Sequence, residues 1–254
     1  MIELSPAGVM LFMFGLLFIL IFTGYPLAFC IGGIGMFAGL LVLGPTATIP
    51  LMYARAYGIL QDYMLLAVPM FIFMGLMVQK SGVAETLFYT LQLWVGRIPG
   101  SLAIVTILTG ALIAATVGVF SASIIMLGLT GLPAMMKAGY NKGLAYGSVV
   151  AGGCLGILIP PSIMLVIYGP MSSLSVGKLF MGAFSSGILL ALLYMLYIFV
   201  KCAVTPQYAP TISLEDQQVP ISTKLRLLVT SLLPPVFLIL AVLGSIFFGI
   251  AAPT

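Results

Sequence analysis

The chain has no histidine, and charged residues make up only 6% of its 254 positions. Five acids, Glu3, Asp62, Glu85, Glu215 and Asp216, are all it has for carrying protons or binding metals, and each falls at a terminus, in a loop or in an interfacial stretch. That argues against a proton relay through an apolar core. Cysteine is scarce as well: Cys30, Cys154 and Cys202 sit in or beside apolar runs without metal-ligand spacing and read as small packing residues. No nucleophile with a base, phosphate loop or metal cluster is evident, which argues against an enzyme and against any catalytic cofactor. The first apolar run lacks a basic leader, so it is expected to remain as a helix and not to be cleaved as a signal peptide.

What the chain has in abundance is apolar sequence, 62% of all residues, with a formal charge of +4. Crossing a hydrocarbon layer takes about 20 apolar residues, and several runs approach or reach that length, so an all-α integral membrane protein is the expected fold class. The positive charge is then read by location, as membrane orientation, and not as a nucleic-acid surface. Expected spans are 7–22, 27–43, 63–78, 179–200 and 227–248. The stretches 46–62 and 85–97 are too polar to cross and read as surface or interfacial, the second placing Leu87, Leu91 and Trp94 on one face. The segment 204–223 reads as a polar linker.

Two stretches break the pattern. In 144–171, the run Gly152-Gly153-Cys154-Leu155-Gly156-Ile157-Leu158-Ile159-Pro160-Pro161-Ser162 stops a helix with two prolines before apolar sequence resumes. Proline has no N–H, so carbonyls around Gly156 to Ile159 lose partners at a depth where lipid cannot replace them. Ser162 is placed to cap the second half-helix, whose N–H groups attract an anion. In 101–135 the apolar run divides at Thr116–Ser123, giving either a re-entrant hairpin or two short tilted crossings. Small residues in both breaks, Gly118, Ser121, Ser123, Gly153 and Gly156, allow two helix tips to approach closely. Backbone carbonyls and hydroxyls there suit a monovalent cation such as sodium. Pro234-Pro235 is either a further break or a simple kink.

Counting crossings places seven of the nine basic residues, Lys80, Arg97, Lys137, Lys142, Lys201, Lys224 and Arg226, on one side, with Arg55 and Lys178 opposite. The positive-inside tendency makes the first group cytoplasmic.

The order of several motifs resembles the large membrane subunit of the TRAP (tripartite ATP-independent periplasmic) transporters. They are Gly24-Tyr25-Pro26-Leu27-Ala28, Pro69-Met70-Phe71-Ile72-Phe73-Met74-Gly75 with Ser81-Gly82, Trp94-Val95-Gly96, Pro133-Ala134-Met135 before Gly139-Tyr140, the 152–162 run, and Tyr168-Gly169. The resemblance covers nearly the whole chain. It implies an elevator-type transporter of two inverted repeats, each with a hairpin and a broken helix, in a bacterial or archaeal inner membrane. Sodium would drive uptake of small organic anions, carboxylates among them, delivered by a periplasmic substrate-binding protein and assisted by a small membrane subunit. Gly118, Ser121, Ser123, Gly156, Ile159, Pro160, Pro161 and Ser162 become the candidate sodium and substrate residues, with sodium itself at Gly118, Ser121 and Gly156. The family often carries two serines after the first tip glycine, whereas Val119 and Phe120 stand here. It also usually has proline where Ser186 stands. Residues 1–203 would form the first repeat, and 224–254 would lead into a second, opened by Ala252-Pro253-Thr254, so the chain corresponds to about half a transporter. A symporter that needs no binding protein is the alternative, and a passive channel or scaffold the more distant one.

Overall fold

The computed structural model describes residues 5–96, 98–210 and 220–250; Glu3, Arg97, the linker acids Glu215 and Asp216, and the Ala252–Thr254 motif lie outside them. All regular structure among the described residues is helical. The chain forms two compact units, divided after Asp62.

The first unit holds three helices, α1 (Pro6–Phe22), α2 (Leu27–Val42) and α3 (Pro45–Leu60). Each start follows from local chemistry. The Ser5 hydroxyl accepts from the Gly8 amide at 3.2 Å, and Pro6 and Pro45 stand in the first turns of α1 and α3, where a missing N–H costs nothing. On α2 the buried positions are Cys30, Ile34 and Ala38, one every four residues, which is a single stripe at helical spacing. The 46–62 stretch, expected as a surface segment, is helical almost throughout.

The second unit begins with a 3₁₀ turn (Tyr63–Leu66) and continues through α4 (Ala67–Lys80), α5 (Val83–Val95), α6 (Ser101–Val117), α7 (Phe120–Lys137), α8 (Lys142–Leu158), α9 (Ile163–Met171) and α10 (Val176–Val204). A 3₁₀ turn (Pro206–Tyr208) precedes α11 (Ile221–Phe247). Three of these helices, α7, α10 and α11, are long and apolar enough to cross a membrane singly; α4 with α5 and α8 with α9 reach that length as pairs bent by 58° and 42°. Helix α6 is at the centre. It carries no charge, and Leu102, Ala103, Val105, Ile107, Ile113, Ala114 and Val117 are all at most 2% exposed, as expected of a helix covered on every side. Its neighbours include α4, α5, α7, α8, α10 and α11.

Two details add to the expectation. Leu87 and Leu91 are buried on α5, while Trp94, a turn further on, is 48% exposed. Of the two readings open for Pro234-Pro235, the structure does not give the break: helix α11 runs through both prolines. The prolines take donors from the carbonyls of Thr230 and Ser231 only, and the buried Ser231 hydroxyl is held by Leu227 and by Thr90 of α5, which ties that turn to its neighbour. The Leu102 amide at the start of α6 donates to the Tyr140 hydroxyl at 3.2 Å. Burial pushes the Tyr140 phenol above its ordinary pKa, which keeps it neutral.

Candidate functional site

Helix α6 ends because Gly118 turns left-handed, with φ +66°, and its amide closes onto Ala114. Val119 is extended, and α7 starts at the next residue. The hairpin tip is therefore only two residues long. Helix α8 ends for a different reason: the Ile159 amide makes the last bond, to Leu155, and Pro160 and Pro161 bring no donors for Gly156 and Ile157. The Pro160–Pro161 peptide is cis, and α9 starts after Ser162.

Tip and break meet. The Ile163 amide, first in α9, donates to the Gly118 carbonyl at 3.4 Å. A Cβ on Gly118 would lie 2.7 Å from the Pro161 carbonyl oxygen, and one on Gly156 would lie 3.3 Å from Ala114 Cβ and 3.5 Å from Phe120 Cα. The close approach continues down the helices. A Cβ on Gly153 would be 2.9 Å from the Ile124 backbone, and one on Gly110 2.8 Å from that of Gly152. Glycine is what allows α6, α7 and α8 to pack backbone to backbone.

Four helix ends thus converge: the C-termini of α6 and α8, which carry unpaired carbonyls and partial negative charge, and the N-termini of α7 and α9, which carry unpaired N–H groups and partial positive charge. Ser162 lies in the break. Its side chain is fully buried, it makes no capping bond, and its Oγ has no hydrogen-bond partner among the described residues. Leaving a hydroxyl buried and unpaired costs about 1–3 kcal/mol, so an oxygen in this state fits a ligand. Both described acids, Asp62 and Glu85, belong to other segments, after α3 and in the first turn of α5. A cation here would be held by neutral oxygens, and an anion by N–H groups.

The candidate residues divide accordingly. Gly118, Gly156, Ile159, Pro160, Pro161 and Ser162 are all buried around the contact. Ile159 packs toward α10, where a Cβ on Gly187 would meet its Cγ1 at 2.7 Å. Ser123 is buried and donates to the Val119 carbonyl at 3.2 Å, so its hydroxyl proton is used within its own helix. Ser121 is exposed and stands apart from that buried cluster. Sequence reasoning named Thr116 only as the edge of the break and did not single out Thr109; the first is buried in the last turn of α6 and bonded to Ile113 at 2.8 Å, and the second is buried with its Oγ1 unpaired. Their spacing of seven, with Thr106 three residues earlier, puts the hydroxyls along one stripe of α6 and was the available signal.

The regular structure of the described residues is all helical, with several long apolar helices and a short hairpin buried against a broken helix, an arrangement compatible with an integral membrane protein. Residues 14–254 match the tripartite ATP-independent periplasmic transporter family, DctM component, and the chain belongs to that family, one of transporter permeases and not of enzymes. It is 35% identical over 195 residues to a C4-dicarboxylate TRAP transporter large permease protein of Pseudomonas aeruginosa, covering 76% of this chain and 44% of the relative. A sialic acid TRAP transporter large permease protein of Vibrio cholerae is 32% identical over 92% of this chain and 53% of its own length. An ectoine/5-hydroxyectoine counterpart from Ruegeria pomeroyi is 29% identical over 93% and 54%. The chain spans about half the length of these curated relatives.

Proposed function

We propose that the chain supplies the first-repeat half of a sodium-coupled site for small organic anions in an elevator-type permease of the inner membrane. A periplasmic binding protein delivers the anion and a small membrane subunit assists. The observation that carries this reading is the buried, unpaired Ser162 hydroxyl where two helix C-termini and two helix N-termini meet. Carbonyl and hydroxyl oxygens at the ends of α6 and α8 suit sodium, and the N–H groups opening α7 and α9 suit a carboxylate. In this account Gly118 and Gly156 serve by letting the tip and break touch, and Ser162 serves as a ligand. The names of the relatives, which carry C4-dicarboxylates, sialic acid or ectoine, keep the proposal at the level of small organic acids and zwitterions.

The test is uptake into proteoliposomes holding the assembled permease, with and without an inward sodium gradient and with and without the binding protein. Accumulation only when both are supplied is the expected result. Sodium-driven accumulation without the binding protein would select the independent symporter instead, and gradient-independent equilibration would select a passive channel.

A further inference from the structure

A second site lies away from the tip, at the opposite end of α8. Between α8 and α10 is a groove of about 600 Å³. Its α8 wall is Leu144, Gly147 and Ala151, and its α10 wall is Tyr194, Ile198 and Lys201, each set spaced by three or four residues and so forming one stripe per helix. The mouth is polar. Lys201 lies there with its Nζ 4.9 Å from the centroid of the Tyr208 ring. Asn141 lies there too, its side-chain oxygen accepting from the Gly143 and Leu144 amides at 2.9 and 3.3 Å. The Asn141 amide in turn donates to the Tyr208 carbonyl at 2.9 Å, which holds the two rims together. Among the described residues no carboxylate pairs with Lys201. From Lys201 to Tyr194 the groove descends seven residues, roughly 10 Å along a helix; Ile107, Ala151 and Tyr194 line its inner part together with Ser148, whose hydroxyl proton is already donated to the Leu144 carbonyl at 2.7 Å.

We propose that this groove binds an anionic phospholipid of the surrounding leaflet, with the phosphate at Lys201 and the start of an acyl chain laid along Gly147 and Ala151. A free anion would satisfy the lysine but leave the apolar floor wet. A neutral lipid would fill the floor but bring the lysine no counter-charge. The polar-to-apolar gradient between two apolar helices, near the lysine-bearing ends of α7 and α10, is the arrangement in which basic pockets take acidic headgroups.

Native mass spectrometry of the detergent-purified chain, equilibrated with phosphatidylglycerol and phosphatidylcholine of identical acyl chains, tests this. The wild-type chain is expected to retain phosphatidylglycerol in preference, and Lys201→Gln to lower that retention about fivefold, to the phosphatidylcholine level. Gly147→Leu is the second variant. A Cβ at Gly147 meets nothing within 4 Å, so leucine enters the groove without disturbing the backbone and should expel both lipids. Equal retention of the two lipids by wild type, or retention unchanged in folded Lys201→Gln and Gly147→Leu, overturns the proposal. So does displacement of the lipid by millimolar inorganic phosphate, which would make a free anion the occupant.

Discussion

Replacing Gly118 by alanine acts on the contact between tip and break twice over. The residue sits at φ +66°, where a side chain costs roughly 1–2 kcal/mol through its clash with the following carbonyl. The added Cβ would also stand 2.7 Å from the Pro161 carbonyl oxygen, and relieving such overpacking costs about 1–3 kcal/mol more. Together the destabilisation is about 2–5 kcal/mol, concentrated where the Ile163 amide meets the Gly118 carbonyl. The chain supplies its own probe, since Cys30 and Cys202 are buried and Cys154 partly so. Thermal unfolding followed by a thiol-reactive dye should show a clear loss in Gly118→Ala. The control is Gly128→Ala on α7, where a Cβ meets nothing within 4 Å and replacing a mid-helix glycine stabilises by about 0.5–1 kcal/mol. If Gly118→Ala unfolds at or above the wild-type temperature, the tip is not held against the break and the argument fails.

Other outcomes follow from the same packing. Gly153→Ala should destabilise by at least about 1–3 kcal/mol, because its Cβ would press on the Ile124 backbone; a neutral effect in the thiol-dye melt would show that α7 and α8 pack less closely. Tyr140→Phe leaves the Leu102 amide unpaired at the start of α6 and should cost about 1–3 kcal/mol in the same assay, with faster hydrogen exchange at that amide as the local signature. Single cysteines beside Lys137 and Lys142 should resist impermeant labelling from outside intact cells, while those beside Arg55 and Lys178 should react; the opposite pattern would invert the orientation.

The two breaks were legible in the sequence because glycine and proline act on the backbone directly. A proline pair removes donors wherever it falls, and Gly118 is the residue that a left-handed turn calls for. Which way a helix rotates about its axis was less legible, since tertiary contacts decide it. Ser121 and Ser123 are two residues apart, yet the first is exposed and the second buried. Pro234-Pro235 shows the same limit from the other side: the chemistry matches Pro160-Pro161, but α11 continues as one helix. There the Ser231 hydroxyl is held by Leu227 and by Thr90, whereas no described partner holds the Ser162 hydroxyl. The bond from Leu102 to Tyr140 spans 38 positions, a distance over which no local pattern speaks.

The most direct measurement is the sodium dependence of anion uptake by the assembled permease, wild type against Ser162→Ala, at fixed substrate and binding protein. Removing one oxygen ligand from a buried cation is comparable to losing a hydrogen bond to a charged group, about 1.5–3 kcal/mol, so half-maximal uptake should need at least about tenfold more sodium. Membrane insertion and assembly with the small subunit should be unchanged. A Ser162→Ala permease with the wild-type sodium dependence would contradict the claim that the break beside Gly118 forms part of the coupling site.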